Sequence, residues 1–333
     1  MKRFGKIDRR TLEEIVFRRL GYRRRDVLIS PKFGEDAALV RSRSRRIVAA
    51  MDPITGSEAR IGWLAVHVNA NDVAAMGAEP KWFSVAILLP EDGLNVLEHI
   101  MEEIHEACVK LRISLITGHT EVTPGISKPI IVGHMLGELV SRRPLSSSGA
   151  RPGDLLVMSK TAGIEGTAIL ASDFEEELRR RGVSSEVLER AKRFYERISI
   201  LDEALRLARR NLPTAMHDPT EGGVLGGAYE LAEASGCSFI IYEERIPVAE
   251  ETKLICEALG CDPLKLISSG VLLAAIPRQK ARRHPNLLRN LAIIGEFRDR
   301  RSGNILMRSD GSEERIREEV LDELWRLIAE HAK

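Results

Sequence analysis

Carboxylate side chains recur beside short apolar runs of this chain, and their positions suggest a bound cation. Glu35 and Asp36 follow Gly34, Asp52 closes the run I-V-A-A-M-D, and Asp72 lies inside V-N-A-N-D-V-A-A-M-G. Carboxylates gathered from separate elements repel one another unless a cation lies between them. Oxygen-only ligand sets suit Mg²⁺, usually together with substrate phosphates. The candidate metal ligands are Glu35, Asp36, Asp52 and Asp72.

The segment 66–80 predicts an apolar helix that ends near Gly77. Asn69, Asn71 and Asp72 lie within it, although these residue types are weak helix formers that prefer other hydrogen bonds. One interpretation is that the two amides orient phosphates or water at the acidic cluster. The other is that they are satisfied polar groups of the core.

A third polar group closes the apolar run S-L-I, where T-G-H-T-E supplies Gly118, His119, Thr120 and Glu121. We expect this strand end to meet the acidic residues. A neutral imidazole is a poor ligand for Mg²⁺. His119 could instead donate to a phosphate or act as an acid or base near neutral pH.

Glycines in the second half mark two turns before helices. In T-A-G-I-E-G, Gly163 and Gly166 flank a predicted helix start, where backbone N–H groups favour anions. A tight strand-to-helix turn explains the same spacing equally well. In H-D-P-T-E-G-G, Gly222 and Gly223 permit close backbone approach and leave N–H groups open to an anion.

Apolar runs separated by polar turns predict the elements that must position these residues. In the first half, strands such as W-F-S-V-A-I-L-L alternate with a helix over 94–111, which is typical of a mixed α+β domain. The turn formers of 146–154 predict a linker. We expect an N-terminal domain over 1–150 and a C-terminal α/β domain over 151–333. The latter should close with an amphipathic helix over 313–332.

The amino-terminal segment predicts an amphipathic helix over residues 8–20, capped by Asp8 or Thr11 and ended by Gly21. The sequence R-R-R-D at 23–26 follows it. We interpret this run as a solvated turn, with anion binding as the alternative.

Composition excludes several classes of function. A net charge of +1 over 333 residues does not favour general polyanion binding, so no nucleic-acid partner is expected. The amino terminus is basic without an apolar segment behind it, and no apolar run approaches the roughly 18 residues that span a bilayer. The four cysteines lack metal-binding spacing. We expect a cytoplasmic protein with reduced thiols.

The order of these motifs resembles the aminoimidazole-ribonucleotide synthetase-like superfamily over nearly the whole chain. The motifs are G-E-D-A-A, the Asp52 strand, N-A-N-D-V-A-A-M-G-A-E-P, T-G-H-T-E, and H-D-P-T-E-G-G. The resemblance implies an ATP site lined by Mg²⁺ and acidic residues, in a fold without a P-loop. It also implies a homodimer whose N-terminal mixed sheets pair into a barrel.

The family's motifs assign roles residue by residue. Asp36, Asp52 and Asp72 match its Mg²⁺- and nucleotide-binding positions, and His217 and Asp218 match positions facing a cleft. The implied catalytic residues are Asp72, His119 and Asp218. The implied nucleotide contacts are Asp36, Asp52, Asn69, Asn71, Asp72, Gly118, His119, Thr120, Gly163, Gly222 and Gly223.

Hydrogenase maturation proteins of the HypE-like branch look most similar, with three departures. His119 stands where relatives commonly carry an acid, Glu35 stands where Asp is commoner, and the chain has no cysteine after Cys261. We therefore expect an ATP-dependent enzyme that activates an oxygen acceptor by phosphoryl transfer, with a maturation-type protein as a possible partner. The alternatives are a small-molecule kinase resembling thiamine-monophosphate kinase and a nucleotide-sensing protein without turnover.

Overall fold

The computed structural model describes residues 5–32, 37–44, 46–55 and 59–331. The chain forms two compact units, one of residues 1–73 and 78–139 and the other of residues 74–77 and 140–333. Glu35 and Asp36, two of the predicted metal ligands, lie outside the described residues. None of the described helices is long and apolar enough to cross a membrane.

The first unit is built on a five-stranded mixed sheet with the order β1-β6-β5-β7-β4, in which β5 and β6 are parallel and the other pairs antiparallel. Strands β2 and β3 form a separate antiparallel pair. The elements are β1 (Gly5–Lys6), α1 (Arg9–Thr11), β2 (Val27–Ile29), β3 (Leu39–Val40), β4 (Ile47–Ile54), α2 (Ile61–Ala75), β5 (Ala78–Leu89), α3 (Leu97–Leu111), β6 (Ser114–Val122) and β7 (Ile130–Leu139).

Helix α2 is apolar on nearly all sides because it is buried against this sheet. Two glycines of β7 permit the close approach. A Cβ atom at Gly133 would lie 2.3 Å from Asn69 Nδ2, and one at Gly137 would lie 2.4 Å from Val73 Cγ1. The helix ends at Ala75, just before the predicted stop at Gly77.

The predicted strand ends are wrong in two places. Strand β6 continues through Gly118 and His119 to Val122, and Asp52 lies inside β4, which reaches Ile54. Both runs pair regularly with their neighbours, so the polar residues are strand residues and not loop residues. Their side chains must therefore alternate between the two faces of the sheet.

The predicted amino-terminal helix is shorter than expected. Asp8 caps α1 as predicted, since its Oδ1 accepts a hydrogen bond from the Thr11 N–H at 3.0 Å. The next residues, Leu12–Val16, form a π-helical turn in which the Phe17 N–H reaches the Leu12 carbonyl at 2.8 Å. The α-helical pattern read from the sequence is thus only partly realised.

The second unit contains a seven-stranded mixed sheet with the order β14-β13-β10-β12-β8-β11-β9. Only β10 and β13 pair in parallel among its described strands. The elements are β8 (Asp154–Ser159), α4 (Ile164–Asp173), α5 (Glu175–Arg180), α6 (Ser185–Lys192), α7 (Leu201–Arg209), β9 (Ala215–His217), α8 (Gly223–Ser235), β10 (Cys237–Tyr242), α9 (Glu250–Leu259), β11 (Leu273–Pro277), α10 (Arg278–Arg283), β12 (Leu291–Asp299), β13 (Asn304–Met307), β14 (Glu313–Ile316) and α11 (Glu323–His331).

The single closing helix predicted over 313–332 is wrong. Residues Glu313–Ile316 form β14, which pairs antiparallel with β13 and covers the edge of the sheet. Helix α11 begins only at Glu323. The sheet edge offers backbone partners to β14, and tertiary pairing therefore overrides the helical pattern there.

Candidate functional site

The side chain of Asn69 fixes the strand that carries Asp52. Its Oδ1 accepts the Asp52 N–H at 3.0 Å, and its Nδ2 donates to the carbonyls of Ala65 at 2.9 Å and Asp52 at 3.4 Å. Asn69 is fully buried. Its amide is engaged by the backbone, so Asn69 positions Asp52, and its contact with a nucleotide stays a prediction. The Asp52 side chain itself is half-buried.

Asp72 lies one turn after Asn69 on the same side of α2 and is also half-buried. Asn71 is fully buried. Asp52 and Asp72 thus belong to two elements that are tied together through Asn69. The described part of the chain contains no group of three His, Cys, Asp or Glu side chains placed to hold a metal ion. Two carboxylates still suffice for Mg²⁺ when substrate phosphates and water complete the shell.

His119 does not share a face of the sheet with Asp52. Strand pairing places His119 opposite Ala86, and it places Asp52 opposite Gly133, which in turn pairs with Val85. Val85 and Ala86 are consecutive strand residues, so their side chains point to opposite faces. Asp52 consequently lies on the face that α2 covers, whereas His119 lies on the uncovered face.

On that uncovered face His119 contacts an acid two residues away. Its Nε2 lies 3.0 Å from Glu121 Oε2. This hydrogen bond, together with one from Thr123, lowers the pKa of the Glu121 carboxyl below its usual value. The Glu121 carboxylate therefore pairs with His119 and is not directed toward Asp52. The catalytic assignment of His119 stays a prediction.

A cavity of about 90 Å³ lies on the covered side of the same sheet, beside Gly118. A Cβ atom at Gly118 would lie 2.5 Å from the Val85 carbonyl oxygen, so the position requires glycine. His119 and Thr120 also line the cavity, as do Lys32 and Ala37, the described residues that flank segment 33–36. The cavity therefore adjoins two of the predicted motifs.

In the second unit, the turn predicted to bind an anion is satisfied by the protein itself. Gly222 has a φ of +73° and precedes α8. Its N–H donates to Asp322 Oδ2 at 2.8 Å, and Asp322 Oδ1 accepts the Leu324 N–H at 2.7 Å. One carboxylate thus serves the starts of both α8 and α11. Its burial raises the pKa of Asp322 to about 6.

The Gly163 turn is likewise closed by internal contacts. Gly163 has a φ of +70°, and its N–H donates to Ser268 Oγ at 2.9 Å. A Cβ atom at Gly166 would lie 2.4 Å from Leu266 Cγ. These contacts support the interpretation of a tight strand-to-helix turn. Contact of Gly163, Gly222 or Gly223 with a nucleotide stays a prediction.

Glu165, between these two glycines, is a buried acid that the sequence did not single out. Only 5% of the residue is exposed, and its Oε2 has no hydrogen-bond partner among the described residues. Burial raises the pKa of Glu165 to about 7, and the nearby charges of Asp322 and Asp218 raise it further despite contact with Ser269. The folded protein therefore favours the protonated form of Glu165 more than the unfolded chain does.

The first two residues of the motif H-D-P-T-E-G-G, His217 and Asp218, lie in different surroundings. Asp218 is buried, while His217 Nε2 lies 2.6 Å from Glu230 Oε2. Burial opposes the charged imidazole, but the bond to Glu230 outweighs it and raises the pKa of His217. The roles of both residues in catalysis stay predictions.

Asp322 was missed because its partners are far away in sequence. The run L-D-E-L-W contains an ordinary helix cap signal, and this signal accounts for the bond to Leu324. Nothing in the sequence indicates the second bond, across about 100 residues, to Gly222.

We expect Asp322→Ala to destabilise the second unit by about 2 kcal/mol, because two helix starts lose their acceptor. Thermal unfolding measures the loss. Glu319→Ala, which removes an exposed acid of the same segment, is the matched control and should change little. Equal melting temperatures for both variants would show that the Asp322 bonds do not hold the segment.

Comparison with known proteins gives one consistent relationship. The model of AIR synthase related protein, N-terminal domain, matches residues 34–139, and that of the C-terminal domain matches residues 151–308. A putative hydrogenase expression/formation protein of Methanocaldococcus jannaschii is 30% identical over 319 residues, with 91% of each chain covered. Carbamoyl dehydratase HypE of Bradyrhizobium diazoefficiens is 30% identical over 279 residues, covering 79% of this chain and 78% of the relative.

A solved structure agrees with these sequence matches. The hydrogenase maturation protein HypE in complex with ATP superposes with a TM-score of 0.80 at 23% identity, and 97% of each chain is covered. This likeness supports the two-domain mixed α/β fold expected from the sequence. The matched domain models cover well over half of the residues, and the chain therefore belongs to the family of AIR synthase related proteins.

Proposed function

We propose that this protein is an ATP-dependent enzyme resembling HypE, which binds Mg·ATP in its first unit and activates an acceptor oxygen by phosphoryl transfer. The observation that carries the proposal is the tie between α2 and β4. Asn69 holds the Asp52 backbone in place, and Asp72 follows one turn later on the same side of the helix. Two carboxylates are thereby fixed on neighbouring rigid elements.

Asp52 and Asp72 would hold the ion, and Asn69 would keep the first of them in register. When bound, Mg²⁺ neutralises phosphate charge and orients the transferred group. Phosphoryl transfer depends mostly on such positioning and electrostatic stabilisation. Residues that packing already holds in place lose little conformational freedom when the ligand binds, which suits the positioning of phosphate groups.

The acceptor that we propose is an acyl or amide oxygen. A relative at 30% identity is named carbamoyl dehydratase, and loss of water from an amide requires an activated oxygen as leaving group. Phosphorylation of that oxygen makes it a good leaving group. The relatives named for hydrogenase expression and formation also support a maturation-type protein as partner.

A homodimer is the second part of the proposal. The uncovered face of the first sheet exposes apolar side chains on its edge strand β4, where Ile47 is 44% and Met51 63% exposed. His134 of β7 pairs with Met51 on the same face. An uncovered apolar sheet face of this kind is typical of an association surface.

We expect Met51→Glu to shift the protein from dimer to monomer, because it places a charge at the most exposed apolar side chain of this face. Analytical ultracentrifugation across a concentration series measures the change. Leu254→Glu, at an exposed apolar position of α9, is the matched control and should leave the dimer intact. A wild-type protein that is monomeric at all concentrations would contradict the homodimer.

A nucleotide sensor without turnover is the second candidate function. This candidate is favoured by the position of His119. It lies on the opposite face of the sheet from Asp52 and so contributes no further ligand to the proposed ion site. In a sensor, nucleotide binding would change the protein without cleavage of the γ-phosphate.

Calorimetric titration with ATP, ADP and AMP, with and without Mg²⁺, tests these candidates when followed by a phosphate-release assay. The enzyme requires Mg²⁺-dependent ATP binding and release of phosphate or its transfer to an acceptor. A γ-phosphate found on a small molecule would indicate a kinase. Nucleotide binding without turnover would support the sensor, and absence of binding would contradict both.

A further inference from the structure

A second cavity of the first unit, of about 390 Å³, is lined by basic and hydrogen-bonding side chains. It lies beside the run R-R-R-D, which the nucleotide-binding proposal does not use. Its polar lining residues are Arg18, Tyr22, Arg23, Arg24, Ser30, His105 and Ser114. The described lining contains no carboxylate.

The backbone around the cavity is held firmly. The Tyr22 N–H donates to the Ile113 carbonyl at 2.8 Å, and the Leu115 N–H donates to the Leu20 carbonyl at 3.0 Å. Between them Gly21 has a φ of +69°, and a Cβ atom there would lie 2.4 Å from Cys108 Cβ. The backbone of the segment therefore follows the start of β6 closely.

Of the three arginines that line the cavity, Arg24 is held in place by an ion pair, whereas Arg18 and Arg23 are not. Arg24 binds Asp26, with Nη2 2.8 Å from Oδ2, and its Nη1 donates to the Arg112 carbonyl at 3.1 Å. Arg18 and Arg23 form no ion pair with any residue that the structure describes. Among the described residues, the cavity thus carries an uncompensated positive charge of about two.

His105 adds a hydrogen-bond donor to the lining of the cavity. Its Nδ1 accepts the Gly21 N–H at 3.1 Å, and in the neutral ring the proton is therefore on Nε2. Guanidinium groups form paired hydrogen bonds with phosphate oxygens, and hydroxyl and imidazole N–H groups complete such sites. A concave site also favours a small molecule over an extended polyanion.

We propose that this cavity binds the phosphate group of a small molecule, with Arg18 and Arg23 as the charged contacts and His105, Tyr22 and Ser30 as hydrogen-bonding groups. The chain offers an internal comparison. Of three consecutive arginines, Arg23 and Arg24 line the cavity, whereas Arg25 does not.

Calorimetric titration of the full chain with pyrophosphate tests the proposal, at physiological salt and with EDTA present to exclude Mg²⁺. We expect saturable binding at one site per chain. Arg23→Ala and Arg18→Ala should each weaken it about tenfold, because each removes a charged hydrogen-bonding group. Arg25→Ala, of equal charge change, should alter it less than twofold.

Asp72→Asn should leave pyrophosphate affinity within twofold of wild type, which separates this cavity from the acidic residues on α2. Equal weakening by Arg25→Ala would show diffuse attraction and overturn the proposal. So would the absence of saturable binding, or affinity that Arg18→Ala and Arg23→Ala leave unchanged. Capture of a poly-glutamate peptide in place of pyrophosphate would indicate an acidic protein partner and overturn it as well.

Discussion

Asp72→Asn is expected to lower ATP turnover at saturating Mg²⁺ on the order of 100-fold, the cost of removing one electrostatic group of a preorganised site. Asparagine has nearly the shape of aspartate but lacks the charge that attracts a cation. The same change should raise the Mg²⁺ concentration needed for ATP binding. Phosphate release and calorimetric titration over a Mg²⁺ series measure the two effects separately.

The control for this prediction is Asp92→Asn, since Asp92 is an exposed acid in the turn before α3 of the same unit. It changes net charge equally and should leave turnover within about twofold. The melting temperatures of both variants should match that of the wild type, which excludes unfolding as the cause. If Asp72→Asn hydrolyses ATP with unaltered Mg²⁺ dependence, the proposed ion site is elsewhere.

Glu165→Gln is expected to remove most of a pH-dependent loss of stability in the second unit. The folded pKa of Glu165 is raised to about 7 from its ordinary 4.5, first by burial and then by nearby acids. Between these pH values the folded protein retains a proton that the unfolded chain releases. Stability is therefore fully present below pH 4.5 and falls as pH rises through 7.

The size of this effect is on the order of 3 kcal/mol between pH 5 and pH 8, from about 1.4 kcal/mol for each pH unit. Asp322 adds to it in the same direction, because its folded pKa is raised to about 6. Glutamine resembles the protonated acid at every pH. The variant should therefore match the wild type at pH 5 and melt at a higher temperature at pH 8.

Calorimetric melting at several pH values measures this difference. Glu257→Gln, an exposed position on α9, is the matched control and should follow the wild-type profile. If wild type and Glu165→Gln lose stability in parallel, Glu165 is already ionised in the folded protein. Its burial would then require a positive partner that the described residues do not include.

Much of the fold followed from the sequence because local and tertiary preferences agree there. Helix α2 and its stop before Gly77 were predicted from apolar composition and from the glycine itself, which has a φ of +78° in the structure. The mixed α+β character of the first unit was predicted from its strands and helices. The order of motifs also identified the family. The partnership of Asn69 with Asp52 was not predictable, because it joins residues of two elements across the sheet.

The errors have a common origin in backbone pairing. The runs that contain Asp52 and His119 were expected to leave their sheets, but neighbouring strands offered partners and the pairing continued. The carboxyl-terminal helix was shortened in the same way, since β14 pairs with β13. A single sequence shows the pattern of its side chains, and it does not show which backbone edges remain available.

Because β6 runs unbroken through T-G-H-T-E, this short motif is divided between two surfaces. Gly118 and Thr120 face the side that α2 covers, whereas the His119 side chain, which also lines the cavity beside them, meets Glu121 on the uncovered face. Substitutions among relatives should accordingly fall into two sets, which meet at His119. Changes at Gly118 and Thr120 should accompany changes in the nucleotide motifs, and changes at Glu121 should accompany changes on the exposed face of β4.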